Sequence, residues 1–200
     1  MQIRELRVPH AYEVTPVQHA DSRGVFLEWF KADAFEAATG RAFDLRQSNI
    51  SVSKRGVVRG IHFADVPLGQ AKYVTAVAGS VTDYIVDLRV GSPTFGSWDF
   101  VELDDDTRKC VFIGEGLGHL FVATSESATV SYLTTDVFRP GREHGVHPLD
   151  TDIGLPLTAD ALLSDKDAAA PTLAQALASG ILPQWDDCLD LYSAVSTQGA

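Results

Sequence analysis

The chain has 200 residues, 45% hydrophobic and 22% charged, which fits one globular domain with a full core. Its net charge of −11 argues against a broad nucleic-acid-binding surface, which needs a basic face, but leaves room for a small anionic ligand in a locally cationic cleft. No apolar run approaches the roughly 18–20 residues of a membrane span, and the N-terminus lacks a signal-peptide pattern, so a cytoplasmic protein without membrane association is expected.

In chain order, residues 1–30 carry short extended pieces, and Asp21-Ser22-Arg23-Gly24 reads as a turn before Val25-Phe26-Leu27. Ala32–Thr39 reads as a short helix stopped by Gly40. From about 46 to 135, runs of Val, Ile, Tyr, Phe and Thr cut by Gly, Pro and Asp predict strands. Lys72–Ala78 and Val81–Leu88 flank Gly79-Ser80, which predicts a hairpin with Ala78 opposite Val81 and Ala76 opposite Asp83. Period two then places Lys72, Val74, Ala76, Val81, Asp83 and Ile85 on one face, a barrel interior with a polar patch. Ala128–Thr135 likewise places Ala128, Val130 and Tyr132 together, and a core tyrosine is the simplest reading of the last. After Pro140 the pattern is irregular, Ala168–Ala178 reads as a helix ended by Ser179-Gly180, and 193–200 reads as a frayed tail. The whole predicts a mainly β single domain over 1–200, a jelly roll or small barrel with a few short peripheral helices.

Arg59-Gly60-Ile61-His62-Phe63, with Lys72 ten residues after the histidine, sets three polar side chains within predicted strands. Such a histidine either satisfies hydrogen bonds in the barrel or acts as a base near neutral pH, with the nearby cation stabilising an oxyanion. Gly114-Glu115-Gly116-Leu117-Gly118-His119 is a glycine-rich turn leading a second histidine into a strand, and its Gly-x-x-His resembles the second motif of the cupin superfamily. The first-motif equivalent has one histidine rather than His-x-His, which leaves too few ligands for a metal site. His10, His19, His144 and His147 are expected at the solvated surface, and Cys110 and Cys188, which form no CxxC pair, as reduced structural thiols.

Seven segments together resemble the dTDP-4-dehydrorhamnose 3,5-epimerase family, metal-free cupins, over about residues 3–187. They are Asp21–Glu28, Gln47-Ser48-Asn49, Arg59–Phe63, Gln70-Ala71-Lys72, Val86–Gly96, Gly116–His119 and Ser164–Pro171. The resemblance implies a cupin jelly roll that epimerises a dTDP-4-keto-6-deoxyhexose at C3 and C5 with no cofactor and no metal, in dTDP-L-rhamnose or related deoxysugar biosynthesis. It implies His62 as base, Asp167 as the carboxylate paired with it, Tyr132 as acid and Lys72 beside the ketone oxygen. Arg59 and His119 match substrate contacts, while Arg23, Phe26, Glu28, Gln47, Asn49, Glu143 and Lys166 match positions that hold the nucleotide-sugar. Phe138 stands where many members stack a tyrosine on thymine. The family also implies a homodimer in which an N-terminal strand, here within residues 2–8, pairs with the partner's sheet. Two departures, Leu120 after the second histidine and the lack of tryptophan before Pro156, are expected to reshape the sugar pocket. The alternatives are a mono-epimerase acting at C3 or C5 alone, and a non-catalytic sugar-nucleotide-binding cupin.

Overall fold

Alternating apolar and polar residues make half-buried strands, and glycine, proline and aspartate break them where the chain reverses. The computed structural model of the chain describes residues 1–196. Its N-terminal part runs β1 (Gln2–Glu5), β2 (Ala11–Thr15), β3 (Gln18–Asp21), β4 (Gly24–Leu27), α1 (Ala32–Thr39), β5 (Gln47–Lys54), β6 (Val58–Ala64) and β7 (Lys72–Ala78). There follow β8 (Ser80–Asp87), β9 (Trp98–Asp104), β10 (Cys110–Ile113), β11 (Leu117–Ala123), β12 (Ser127–Thr134) and β13 (Glu143–Gly145). The chain ends in α2 (Asp165–Ala168), α3 (Leu173–Ser179) and α4 (Trp185–Ser196).

Two antiparallel sheets form the expected jelly roll. One has the order β1-β2-β10-β7-β12-β5, the other β13-β6-β11-β8-β9, and β3-β4 stands apart as a two-stranded ribbon. Between the sheets lies a core of inward side chains, including Val74, Ala76, Val81, Ile85, Phe121 and Val130. A second cluster fills the back of the five-stranded sheet under α3 and the C-terminal loops. A third, aromatic-rich cluster lets α1 cover part of the six-stranded sheet, with Phe35 beneath Phe30, Phe43 and Tyr73.

The predicted β7–β8 hairpin does not form. β7 pairs with β10 and β12, whereas β8 pairs with β11 and β9. The chain turns a corner between sheets at Gly79, whose φ is +72°. Gly79 N–H donates to Asp105 Oδ2 (2.8 Å) and Ser80 N–H to Ser125 Oγ (2.9 Å), so loops take the bonds a hairpin would have used. A Cβ on Gly79 would lie 2.2 Å from the Ser127 carbonyl oxygen. The predicted common face nevertheless holds, because the inner faces of both sheets meet in one core.

The C-terminal elements also differ from expectation. The helix predicted at Ala168–Ala178 is split: α2 ends at Ala168, and α3 starts only after Thr172, which forms a capping box with Gln175. Residues 193–196, expected to fray, belong to α4, and 197–200 lie outside the described residues. Helix α4 packs Cys188 and Tyr192 inward. The Arg89 guanidinium stacks 4.5 Å from the Trp185 ring and that of Arg41 4.4 Å from Tyr192. His10 is no solvated surface residue: its ring lies 4.2 Å from that of Tyr192. Burial first, then the charges of Arg89 and Arg41, push its pKa down to about 4. Both cysteines are free and buried, and burial raises their thiol pKa values to about 11 for Cys110 and about 12 for Cys188.

Candidate active site

A cleft of about 410 Å³ opens between the sheets. Arg59, His62, Lys72, His119, Tyr132, Lys166 and Asp167, all singled out from the sequence, line it. His62 and Arg59 come from β6, His119 from β11, Lys72 from β7 and Tyr132 from β12, so His62 and Tyr132 reach the cleft from opposite sheets.

Strict alternation would put Arg59 and His62 on opposite faces of β6. A bulge prevents this: the register with β11 runs His119↔His62 but Phe121↔Arg59. Gly60 lies at the irregularity with φ +122°, and a Cβ there would meet the His119 carbonyl oxygen at 2.3 Å. Glycine therefore allows β6 to lie against β11 while both polar side chains face inward.

His62 Nε2 lies 2.6 Å from Asp167 Oδ1. Asp167 is buried on α2, whose N-cap Ser164 Oγ accepts from Asp167 N–H (3.1 Å). Burial alone would raise the Asp167 pKa, but the hydrogen bond and charge of His62, with bonds from Ser164 and the Gly60 N–H, outweigh it and hold the carboxyl below its usual range. Burial raises the Tyr132 phenol, Glu143 adds to the rise, and Arg59 opposes it. That keeps the phenol neutral and able to donate. Burial lowers the Lys72 pKa, while Glu143 and Asp83 pull the other way and Lys166 adds to the fall.

Other expected site residues sit around this centre. Asn49 is the cross-strand partner of Tyr132, and its Oδ1 accepts from Gln47 Nε2 (2.8 Å). Phe138 is exposed, with its N–H donating to Gln47 Oε1 (3.0 Å). Glu143, on β13, does not line the cleft but acts electrostatically on Lys72 and Tyr132. Arg23, Phe26 and Glu28 are not brought to the cleft: Arg23 is paired with Asp21 in the ribbon turn, and Phe26 is 68% exposed. The two departures stand at the following places. Leu120 points away from the cleft into the core behind the five-stranded sheet, as His119 points in. Ile153 joins the same core and accepts from Trp98 Nε1 (3.1 Å), so a tryptophan from another strand packs near where the expected one is missing.

Sequence reading missed several cleft residues. Ser51 follows from the period-two pattern of Gln47 and Asn49, and its Oγ is buried with no hydrogen-bond partner among the described residues. Leu162, Leu163 and Ser164 line the mouth from a loop with no strand signal, where Leu162 bridges to Val57. Asp83 was legible as an inward residue but not as the partner of His119, whose Nε2 lies 2.8 Å from Asp83 Oδ2.

A cupin jelly roll with a carboxylate-backed histidine facing a half-buried tyrosine across one cleft is the arrangement of an epimerase, a kind of isomerase. The family profile of dTDP-4-dehydrorhamnose 3,5-epimerase matches residues 5–175. The chain is 54% identical over 188 residues to the dTDP-4-dehydrorhamnose 3,5-epimerase of Mycolicibacterium smegmatis, covering 94% of each. It is 52% identical over 189 residues to a dTDP-4-dehydrorhamnose 3-epimerase of Streptomyces niveus, covering 94% of this chain and 91% of that one. Among solved structures, the Mycobacterium tuberculosis epimerase superposes with a TM-score of 0.95 at 47% identity, covering 98% of this chain and 100% of that one. The chain belongs to the dTDP-4-dehydrorhamnose 3,5-epimerase family.

Proposed function

We propose that this enzyme inverts C3 and C5 of a dTDP-4-keto-6-deoxyhexose in deoxysugar biosynthesis. The observation that carries this reading is His62, backed by Asp167, facing Tyr132 from the other sheet across one cleft. Hydrogens on carbon beside a ketone are acidic because the anion spreads onto oxygen, so a C4 ketone activates both neighbours. Inversion needs removal from one face of the ring and return to the other. His62 takes the proton, with Asp167 supporting the imidazolium as in catalytic triads. Tyr132 returns one from the far face. Lys72 meets the C4 oxygen, where the enolate charge gathers. The residues account for each step, and none calls for a redox or metal centre.

The nucleotide end extends past Asn49, Gln47 and Phe138, whose ring offers a stacking face. Arg23, Phe26 and Glu28 lie outside their own protomer's cleft, and among the described residues the ribbon carrying the first two has no sheet neighbour. We infer a homodimer in which the ribbon serves the other copy. Support comes from exposed Val25 and Phe26 on the ribbon, and from Ile50 and Val52 on the outer face of edge strand β5. The expected role for the N-terminal strand stays open to the same partner: β1 pairs with β2 of its own chain and leaves its other edge available to the second copy. The buried free thiols suit a reducing compartment, and we place the enzyme in the cytoplasm on that ground.

The deciding experiment incubates the enzyme with dTDP-4-keto-6-deoxyglucose in heavy water and reads deuterium separately at C3 and C5 by proton NMR. Both positions should exchange. Exchange at C3 alone makes the enzyme a mono-epimerase, and exchange at neither removes the reading.

A further inference from the structure

Asp83 has none of its surface exposed. It faces inward from β8 beside Val81 and Ile85, which belong to the apolar core. A carboxyl in such surroundings is costly unless it is partnered. Its Oδ2 meets His119 Nε2 at 2.8 Å, and its Oδ1 is buried with no hydrogen-bond partner among the described residues. Phe121 is the register partner of Asp83, so Asp83 reaches His119 along the sheet diagonal. His119 is in turn the direct cross-strand partner of His62, and both line the cleft. Two histidine–carboxylate pairs thus stand side by side, one closed by α2 and the other from within the barrel.

We infer that Asp83 is a positioning residue for the reaction, acting through His119, and this rests on the function proposed above. One proton is shared between Asp83 and His119 Nε2. Whether it sits on the carboxyl or on the ring, Nδ1 keeps its N–H. His119 then donates toward the cleft beside Lys72, so that two donors meet the enolate oxygen. Burial raises the Asp83 pKa while the charge and hydrogen bond of His119, then Lys72, draw it down, which fits a carboxyl poised to share a proton. The other titratable groups around the pair are Arg59 and His62 on β6, Lys72 on β7, Tyr132 on β12, Glu143 on β13, and Lys166 and Asp167 on α2.

The test is a double-mutant cycle of Asp83→Asn and His119→Gln, with kcat, KM and dTDP affinity measured across pH. A carboxamide in place of the carboxyl cannot share the proton, so D83N should lower kcat by at least about 10-fold, with KM and dTDP affinity nearly unchanged. The alkaline limb of its kcat profile should move to lower pH. The double variant should be no slower than H119Q alone, because the two residues act as one unit. Wild-type kcat in D83N, an unmoved alkaline limb, or losses that multiply in the double variant would each overturn the inference. If D83N does not fold, NMR of 15N-histidine-labelled wild-type enzyme decides the point: His119 should keep its Nδ1–H at pH 8, and a bare Nδ1 is contrary. Deuterium exchange by the wild-type enzyme tests the proposed function separately, so failure of one is not failure of the other.

Discussion

In the proposed function His62 is the base, and the carboxylate that backs it stands 105 positions away in the chain. The carboxylate fixes the ring and offsets the charge it gains on taking a proton. Tyr132, the proposed acid, needs the opposite treatment, and its half-buried place beside Val130 raises its pKa and keeps the phenol neutral. His62→Ala and Tyr132→Phe should each lower kcat by about 10²–10⁴-fold, the usual range for a general base or acid. Affinity for dTDP, measured by calorimetry, should persist in both, since neither side chain is placed at the nucleotide end. Full turnover in either variant would mean that the base and acid are wrongly assigned. The sequence placed Lys72, Asp83 and Tyr132 on inward faces by period two alone. It did not show that Asp83 belongs with His119, because that contact runs diagonally between strands whose pairing was misjudged.

Among the elements, β6 and β11 carry the finest fit. Gly118 has no Cβ to collide with Ile61 Cγ2, which would lie 2.6 Å away, or with Leu88 Cδ1 at 2.7 Å. Gly118→Ala should therefore overpack this layer and lower stability by about 1–3 kcal/mol, read from urea melts. Because the same two strands hold His62 and His119 in register, turnover should fall with it. An alanine variant as stable and active as the wild type would show that the layer yields more easily than its packing implies. Helix α1 and its Gly40 stop were legible, as was the run of strands. The hairpin was not, since Gly79-Ser80 has the residues of a tight turn while Asp105 and Ser125 bond its N–H groups from other loops. Helix α4 left a usable signal in Trp185, Cys188 and Tyr192 at helical spacing, with Asp186 and Asp187 in its first turn.

For the whole molecule, what one protomer leaves open matters as much as what it closes. Among the described residues a single copy presents a cleft without Arg23, Phe26 and Glu28, and a ribbon attached to no sheet. Light scattering should give twice the 21.6 kDa chain mass. Ile50→Lys combined with Val52→Lys should shift it toward one chain mass and weaken dTDP binding, while the fold stays intact because both side chains are exposed. A wild-type monomer of full activity would contradict the dimer.

The two halves of the His62–Asp167 pair also differ in when they reach the ribosome's exit. Among the described residues every strand of the jelly roll precedes residue 146, so a nascent chain can assemble both sheets with the imidazole in position and nothing behind it. Only when the segment capped by Ser164 has been made and has docked does that ring acquire its carboxylate. On the proposed function, competence at carbon therefore comes only after both sheets have been made, and an incomplete barrel is born chemically quiet.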